Sequence, residues 1–523
     1  MRIISLTLYI LFALLIASCQ PSSVATSSSV TTELRAPAYP LITIDPYTSA
    51  WSSTDQLYGS PVKHWTGKTH SLIGAVRVDG QVYRFLGKED IPLKTLLPMA
   101  KEEAWEGQFT MSIPAKGWEK PEFNAAKWQS APAAFGTPGM QAVGTNWETK
   151  EIWVRREFTL TEVAAGAKLY LIYSHDDDFE LYLNGIEIIN TGNRAKTNVV
   201  TTLDASLLNK DGKNVFAAHC LDRGGLAYVD FGIYTESDQP EIFAQTASQT
   251  RVGLSATQTH YDFTCGPVDL KVQFVSPLLP DDLDLLSRPV NYINYEVVSN
   301  DGQAHDVQVY VEATPEWAVN EVSQEVQVTK GETGNISYVK AGTTEQPILQ
   351  KKGDNIRIDW GYAYLAANKG TTNTMAIGNY FDMKSEFAGS GKVSGVSSMT
   401  TKPVREMPAM VCVDDLGQVS GKPASGYVMI AYDDIESIQY FGNNLKGWWT
   451  ANGTKTIDDA LESASVEYGQ IMSRCAGFDN QLWEETLAAG GKNYADLCVL
   501  AFRQSIAAHK LVKDSEGNIL FLS

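Results

Sequence analysis

The stretch that most restricts the fold is "VNYINYEVVSNDGQAHDVQVYVEA", residues 290–313. Apolar and polar residues alternate along it, and successive side chains of a strand point to opposite faces. The alternation puts Tyr292, Asn294 and Glu296 on one face and Ile293, Tyr295 and Val297 on the other. Asn300-Asp301-Gly302 interrupts it with turn chemistry, so the stretch predicts a hairpin. "SLIGAVRVDGQVYRFLG" repeats the pattern around Asp79-Gly80. Long strands with glycine-marked turns run from Ala36 to about residue 440 and predict a large antiparallel β-sandwich. The chain has 523 residues, enough for roughly three domains. Its 44% hydrophobic content supplies sizeable cores and excludes a disordered protein.

The pattern changes near Thr454. In "TIDDALESASVEYGQIMSRCAGF", Ile457, Leu461, Ala464, Tyr468, Ile471 and Cys475 recur at helical spacing. Thr456 and Asp459 make a capping box. "DNQLWEETLAAGG" predicts a second helix, capped by Asp479 and stopped at Gly490-Gly491. "NYADLCVLAFRQSIAAHKLV" predicts a third, with Tyr494, Leu497, Ala501, Ala508 and Val512 near one face. A turn at 514–517 and a short apolar run follow.

The first residues, "MRIISLTLYILFALLIASCQ", carry one early cation and then an apolar run too short to span a membrane comfortably. The run ends in Ile16-Ala17-Ser18-Cys19, which resembles a bacterial lipoprotein signal; an ordinary cleaved signal is the alternative. Acylation of Cys19 would anchor the chain at about 0.8 kcal/mol per buried CH₂. This reading puts the protein in the cell envelope, lipid-anchored in the periplasm or on the outer membrane surface. The uncharged, Ser/Thr-rich residues that follow read as a tether. The other five cysteines form no CxxC or zinc spacing and sit among apolar residues, as buried small hydrophobes do. A net charge of −19 argues against nucleic acid, whose phosphates require Lys and Arg. The partners it leaves are a small-molecule substrate and the membrane at the anchor.

Between 104 and 235 lies a distinct run of short strands with turns at Asn184-Gly185 and Asp211-Gly212. "AKLYLIYSHDDDFELYLNGIEIIN" and "KNVFAAHCLDRGGLAYVDFGIY" resemble the galactose-binding-like jelly rolls found beside many glycosidases. Outside this insert, "PAYPLITIDPYTSAWSSTDQLYGSPVKHWTGKTHSLIGAVRVDG", "LLPDDLDLLSRPVNYINYEV", "GDNIRIDWGYAYLA", "AYDDIESIQYFGNNLKGWW" and "GGKNYADLCVLAFRQSIAAHKLV" resemble, in order, blocks of the glutaminase A-like family of fungi and bacteria. The resemblance implies a six-hairpin-glycosidase-like architecture: a β-sandwich followed by an (α/α) toroid, of which this sequence would hold only the first helices. The expected fold is thus mainly β with a C-terminal α segment. Its parts are a signal at 1–19, a linker at 20–35, a sandwich at 36–103 and 236–445 with a jelly roll inserted at 104–235, and the start of a toroid at 446–523. The implied activity is hydrolysis of L-glutamine to L-glutamate and ammonia. A glycoside hydrolase or a carbohydrate-binding lipoprotein is the alternative.

No HExxH or GxSxG occurs, and "TGKTH" lacks the upstream glycine of a P-loop, where Val62 stands instead. No cofactor or metal is implied. Carboxylates remain as the groups able to give and take protons. Asp433 and Asp434, where sandwich hands over to helices, are the catalytic candidates, or else they mark a turn. Tyr440, Trp448, Trp449 and Arg503 are candidate pocket residues; Arg503 and His509 read equally as solvated-face residues. Asp176, Asp177 and Asp178 read as a Ca²⁺ site or an acidic turn, and Trp118, Trp128 and Trp147 as sugar platforms or packing.

Overall fold

The computed structural model describes residues 30–523 except 33, 90–92, 141, 161, 162, 164, 165, 211, 238–240, 323, 352–355, 371 and 402–406. Cys19, the signal, most of the tether and turn residue 211 lie outside the described residues. The chain is mainly β with a C-terminal α segment.

Nine antiparallel strands form one sheet in the order Ser248–Leu254, Gln258–Cys265, Val268–Val275, Val290–Ser299, Ala424–Asp433, Tyr362–Asn368, Ile336–Thr343, Val326–Thr333 and Ser398–Thr401. Five more, Asn373–Asn379, Pro408–Val419, His305–Ala313, Leu72–Val78 and Gln81–Leu86, form the sheet packed against it. Val272, Phe274, Ile293, Tyr295, Val309, Val311 and Leu365 meet between them. The alternation therefore reads correctly: Ile293, Tyr295 and Val297 face the inter-sheet core, and Tyr292 faces the helices.

The Asp79-Gly80 hairpin forms, with both residues at positive φ. The expected hairpin at Asn300-Asp301-Gly302 does not. Val290–Ser299 pairs with Val268–Val275 and Ala424–Asp433, while His305–Ala313 lies in the five-stranded sheet. The turn is a crossover between the two layers. Both strands bury residues on two faces, so each finds longer-range partners than its sequence neighbour.

After Gln81–Leu86 the chain builds two further sheets. One runs Ile186–Asn190, Asp178–Leu183, Asn214–Leu221, Glu151–Phe158, Glu106–Thr110, Gln129–Pro132. The other runs Lys196–Leu203, Leu169–Asp176, Tyr228–Thr235, Phe135–Gly136, Thr145–Asn146, with Lys94–Leu97 also on Tyr228–Thr235. They enclose a separate core that includes Phe179, Leu181, Phe216 and Phe231.

The helices cover the outer face of the nine-stranded sheet, where Val275, Tyr292 and Met429 meet Ile457, Leu461, Ile471 and Cys475. The Thr456/Asp459 capping box is present. The first helix, Ile457–Val466, breaks at Glu467 rather than running on to Cys475. The helical stretch Tyr468–Ala507 follows and is interrupted at Gly491 (φ 75°, ψ −176°), where the sequence places the stop at Gly490-Gly491. Asp479 is not a cap. It is buried mid-helix and accepts hydrogen bonds from the Thr257 amide (2.7 Å), the Thr257 hydroxyl (3.0 Å) and the Gln258 amide group (2.7 Å). Residues 510–512 are strand rather than helix: Lys510–Lys513 pairs with Ile519–Leu522 around a turn that Asp514 closes.

Among the described residues, no helix is long and apolar enough to cross a membrane. Cys220, Cys265, Cys412 and Cys475 are free and buried; Cys498 is free and half-buried.

Candidate functional site

Three central strands of the nine-stranded sheet place polar and aromatic side chains on the face that looks toward the helices. Lys340 lies opposite Tyr364 across one strand pair, and Tyr362 opposite Asp433 across the next. Alternation sends Tyr338, Lys340, Tyr362, Tyr364 and Asp433 outward, while Val339, Ala341, Ala363, Leu365 and Tyr432 go into the inter-sheet core. The Lys340 ammonium is 4.6 Å from the Tyr362 ring centroid and 5.8 Å from that of Tyr364, within cation–π range. Tyr338 meets Tyr364 edge-on at 5.2 Å. The helix Ile457–Val466 adds Asp458 from its first turn. Lys340, Tyr362, Asp433 and Asp458 are half-buried, so the cluster opens to solvent.

Burial, then the neighbouring Asp434, pushes the Asp433 carboxyl above the usual carboxylate range; the Ile435 amide, Lys340 and Lys510 oppose the rise. Burial also raises Asp458; Lys340 opposes it, and Glu462 and Asp459 add to it. Two carboxylates inclined to hold a proton, with one lysine acting on both, can divide acid and base roles between them.

The Asp433-Asp434 doublet is not a facing pair. Asp433 ends the strand Ala424–Asp433 on its outer side, and its carboxylate accepts the Ile435 amide at 3.1 Å. Asp434 turns inward and is buried. Its carboxylate meets the Lys510 ammonium at 2.7 Å and accepts the Ser437 hydroxyl at 2.6 Å.

The expected pocket residues scatter. Tyr440 lies beside exposed Phe441 on the hairpin Ile438–Tyr440/Asn443–Leu445. The Trp448 indole donates to Asp284 at 2.9 Å. Trp449 is buried in the sheet–helix core. Arg503 is not on a solvated face: it is 1% exposed and donates to the Pro40, Ser255 and Gln258 carbonyls and the Thr259 hydroxyl. Burial lowers its guanidinium to about 9. None of the four has a hydrogen bond or ring contact with Asp433 among the described residues. His509 is half-buried, its ring stacked on Phe521 at 4.6 Å.

In the insert, Asp178 forms a bidentate pair with Arg223 (3.0 and 2.7 Å), and Asp177 accepts the Arg223 amide at 2.7 Å. Burial and then Asp177 raise Asp176 to about 6. No group of three or more His, Cys, Asp or Glu placed to hold a metal ion occurs among the described residues. Trp147 is core, and Trp128 packs edge-on to Phe123. Trp118 is half-buried, edge-on to Tyr182 (5.5 Å) and His219 (6.5 Å).

Sequence reasoning missed Lys340, Tyr362, Tyr364 and Asp458. The available signal was the two-residue spacing of Tyr338-x-Lys340 and Tyr362-x-Tyr364, which puts each pair on one face. Strand order, which sequence spacing does not report, brings the two pairs together beside Asp433.

Two family patterns match the chain, both described as domains of unknown function: DUF4964 over residues 13–98 and DUF5127 over residues 257–485. The second contains every member of the cluster. Glutaminase A of Aspergillus oryzae is 27% identical over 286 residues, 53% of this chain and 41% of that protein. The match thus takes in about two fifths of the length of the curated relative. Among solved structures, a beta-glycosidase from Bacteroides vulgatus is similar with TM-score 0.22 and 14% identity, covering 38% of this chain and 31% of that one. A beta-glucuronidase from glycoside hydrolase family 2 is similar with TM-score 0.22 and 12% identity, covering 66% and 28%. Structural likeness at that level carries no argument about chemistry.

Proposed function

We propose that the chain is a hydrolase of the cell envelope, held there through Cys19, that converts L-glutamine to L-glutamate and ammonia at the Lys340–Asp433–Asp458 cluster. The observation that carries this reading is the 27% identity to a glutaminase A over 286 residues. Asp433, with Lys340 and Lys510 acting to keep it ionised, takes the proton from water. The water oxygen bonds to the carboxamide carbon, and Lys340 faces the charge that develops on the carbonyl oxygen. Asp458 gives its proton to the leaving nitrogen as the C–N bond breaks. Tyr440 and Trp448 remain candidate pocket residues on the neighbouring segment.

One observation favours glycan work instead. Half-exposed Trp118 stands over Tyr182 and His219 beside Glu151 and Glu180, a ring and hydrogen-bonding surface suited to a sugar. The test is ammonia release from L-glutamine by the full chain, run beside reducing-sugar release from a panel of glycosides. Ammonia is expected, with kcat falling by about 10²-fold or more in Asp433→Asn, as for loss of a general acid or base. Sugar release without ammonia selects the second reading. Wild-type turnover in Asp433→Asn removes the site.

A further inference from the structure

We infer that Lys510 is a positioning residue: it holds the Asp434 carboxylate inside the fold and so leaves Asp433 alone to face the Lys340–Asp458 cluster. The inference rests on the reading of that cluster as the reactive site. Three remote segments meet at one ammonium. The Lys510, Asp45 and Asp434 side chains are 6%, 4% and 4% exposed. Asp45, in the turn after the strand Tyr39–Thr43, accepts the Tyr47 and Thr48 amides, each at 2.9 Å, and pairs with Lys510. Asp434 completes the set from the other side, and its carbonyl accepts the Trp360 indole N–H at 2.8 Å.

The hairpin that carries Lys510 grips the same segment twice more. Val512 bridges Gly447, and the Lys513 ammonium lies 5.8 Å from the Trp448 ring centroid. Residues 434–448 are thus held by the C-terminal hairpin together with the Trp360 indole, which donates to the Asp434 and Glu436 carbonyls, and Asp284, which accepts the Trp448 indole N–H. Without the ammonium, Asp434 would be a buried carboxylate with no cation, and it gains hydration by turning outward. That places two like charges side by side at the site and drives the Asp433 carboxyl further up. The charges acting on Asp433 are Asp434 and Lys510 on the hairpin side and Lys340 on the sheet; Tyr362 lies opposite it, Tyr364 and the inward-facing Tyr432 feel its charge, and Asp458 on the helix shares Lys340 and Tyr364 with it.

Two readouts on the full chain test this. The first is amide hydrogen exchange over residues 434–447, with Val268–Val275 as internal reference. Exchange in the segment is expected to rise about tenfold relative to the reference in Lys510→Met and in Asp434→Asn, the local opening that a lost clamp produces. Lys510→Arg, which keeps the cation between the two carboxylates, is expected to stay near wild type. The second is the acid limb of the pH–rate profile. It is expected to move to higher pH in Lys510→Met and to stay in Lys510→Arg; a purely structural role lowers the rate without moving the limb. If Lys510→Met fails to fold, Asp434→Asn carries the exchange test. If the wild type hydrolyses neither substrate, the reading of the site fails, and exchange alone still decides the clamp. Unchanged exchange in both Lys510→Met and Asp434→Asn, or an unmoved limb in active Lys510→Met, overturns the inference.

Discussion

Two buried ion clusters, each a lysine held by carboxylates, behave in opposite ways. Beneath the helix Tyr380–Ser390, on the outer face of the five-stranded sheet, Lys384 meets Glu312 at 2.7 and 2.9 Å with both side chains fully buried. Burial lowers the Lys384 ammonium and raises the Glu312 carboxyl, so both are driven toward their neutral forms. Burial acts on Lys510 as well, yet Asp434 and Asp45 together outweigh it and raise the ammonium. One carboxylate in contact, even with Glu89 acting from further away, does not offset the desolvation of Lys384, and Arg84 deepens the shift; two in contact offset that of Lys510. The first pair joins residues 72 apart in sequence, the second cluster residues 465 apart. The contact between Lys384 and Glu312 staples a helix to its own sheet; the two-to-one cluster ties the segments around Asp45 and Lys510 to the candidate site.

The largest effect is expected where a cation leaves two carboxylates behind. Lys510→Met should lower stability by at least the roughly 3–5 kcal/mol typical of breaking a buried pair. Lys384→Met should fall at the low end of that range, because Glu312 is already inclined to take a proton and accepts the Tyr310 hydroxyl. Urea denaturation of the two variants beside wild type makes the comparison. A Lys384→Met loss equal to or greater than that of Lys510→Met would break the argument from carboxylate count.

Alkaline pH sharpens the same contrast, because the two lysines have opposite signs. A raised folded pKa means that the Lys510 contribution is fully present below the ordinary lysine value and is lost as pH rises through the folded one. A lowered folded pKa means that the charged form of Lys384 opposes folding at neutral pH, a penalty relieved as pH rises from its folded value toward the ordinary one. The stability gap between wild type and Lys510→Met should therefore hold flat up to about pH 10 and then shrink. The gap to Lys384→Met should widen over the approach to that pH. Denaturation midpoints in a pH series separate the two, and parallel gaps would show that the clusters do not differ in this way.

The sequence made legible what is local. Asp79-Gly80 and Asn184-Gly185 need only their own φ > 0 geometry to turn, and both do. The Thr456/Asp459 box is likewise complete within four residues. The third helical stretch shows where this stops. Its apolar stripe reads as the buried face, yet Tyr494 is 48% and Leu497 59% exposed, while Asp496 and Arg503 are buried. Asp496 accepts the Thr32 hydroxyl at 2.6 Å, and Arg503 is satisfied by carbonyls from two other segments. Periodicity assigns faces by hydropathy, and a polar residue reads as outward until its partner, hundreds of residues away, is known. The candidate site was hidden for the same reason. Asp433 was visible as a carboxylate after a strand, but its inward-turned neighbour and Lys340 are set by strand order and by Lys510.

The smallest expected effect lies at the sandwich rim, where a third cluster is also two carboxylates to one base but both carboxylates face water. His305 holds Asp79 at 2.7 Å and Asp301 at 2.9 Å, with the two carboxylates about half exposed. It thereby joins the Asp79-Gly80 hairpin to the Asn300–Gly302 crossover. Hydrogen bonds to Asp301 and Asp79 raise the imidazole; its own bond, then the Gln303 amide, lowers Asp301 to about 2. The sign follows from both shifts. The histidine contribution is present below the ordinary imidazole value and lost as pH rises through the raised one, and the carboxylate contributions are lost on acidification. The difference in Tm between wild type and His305→Gln should therefore peak near about pH 5 and fade on either side. Solvent screening should keep it well below the loss in either buried cluster. Two carboxylates per base would then matter for stability only where water is excluded. A His305→Gln loss that rivals Lys384→Met would show that charge count, and not burial, sets the size of the effect.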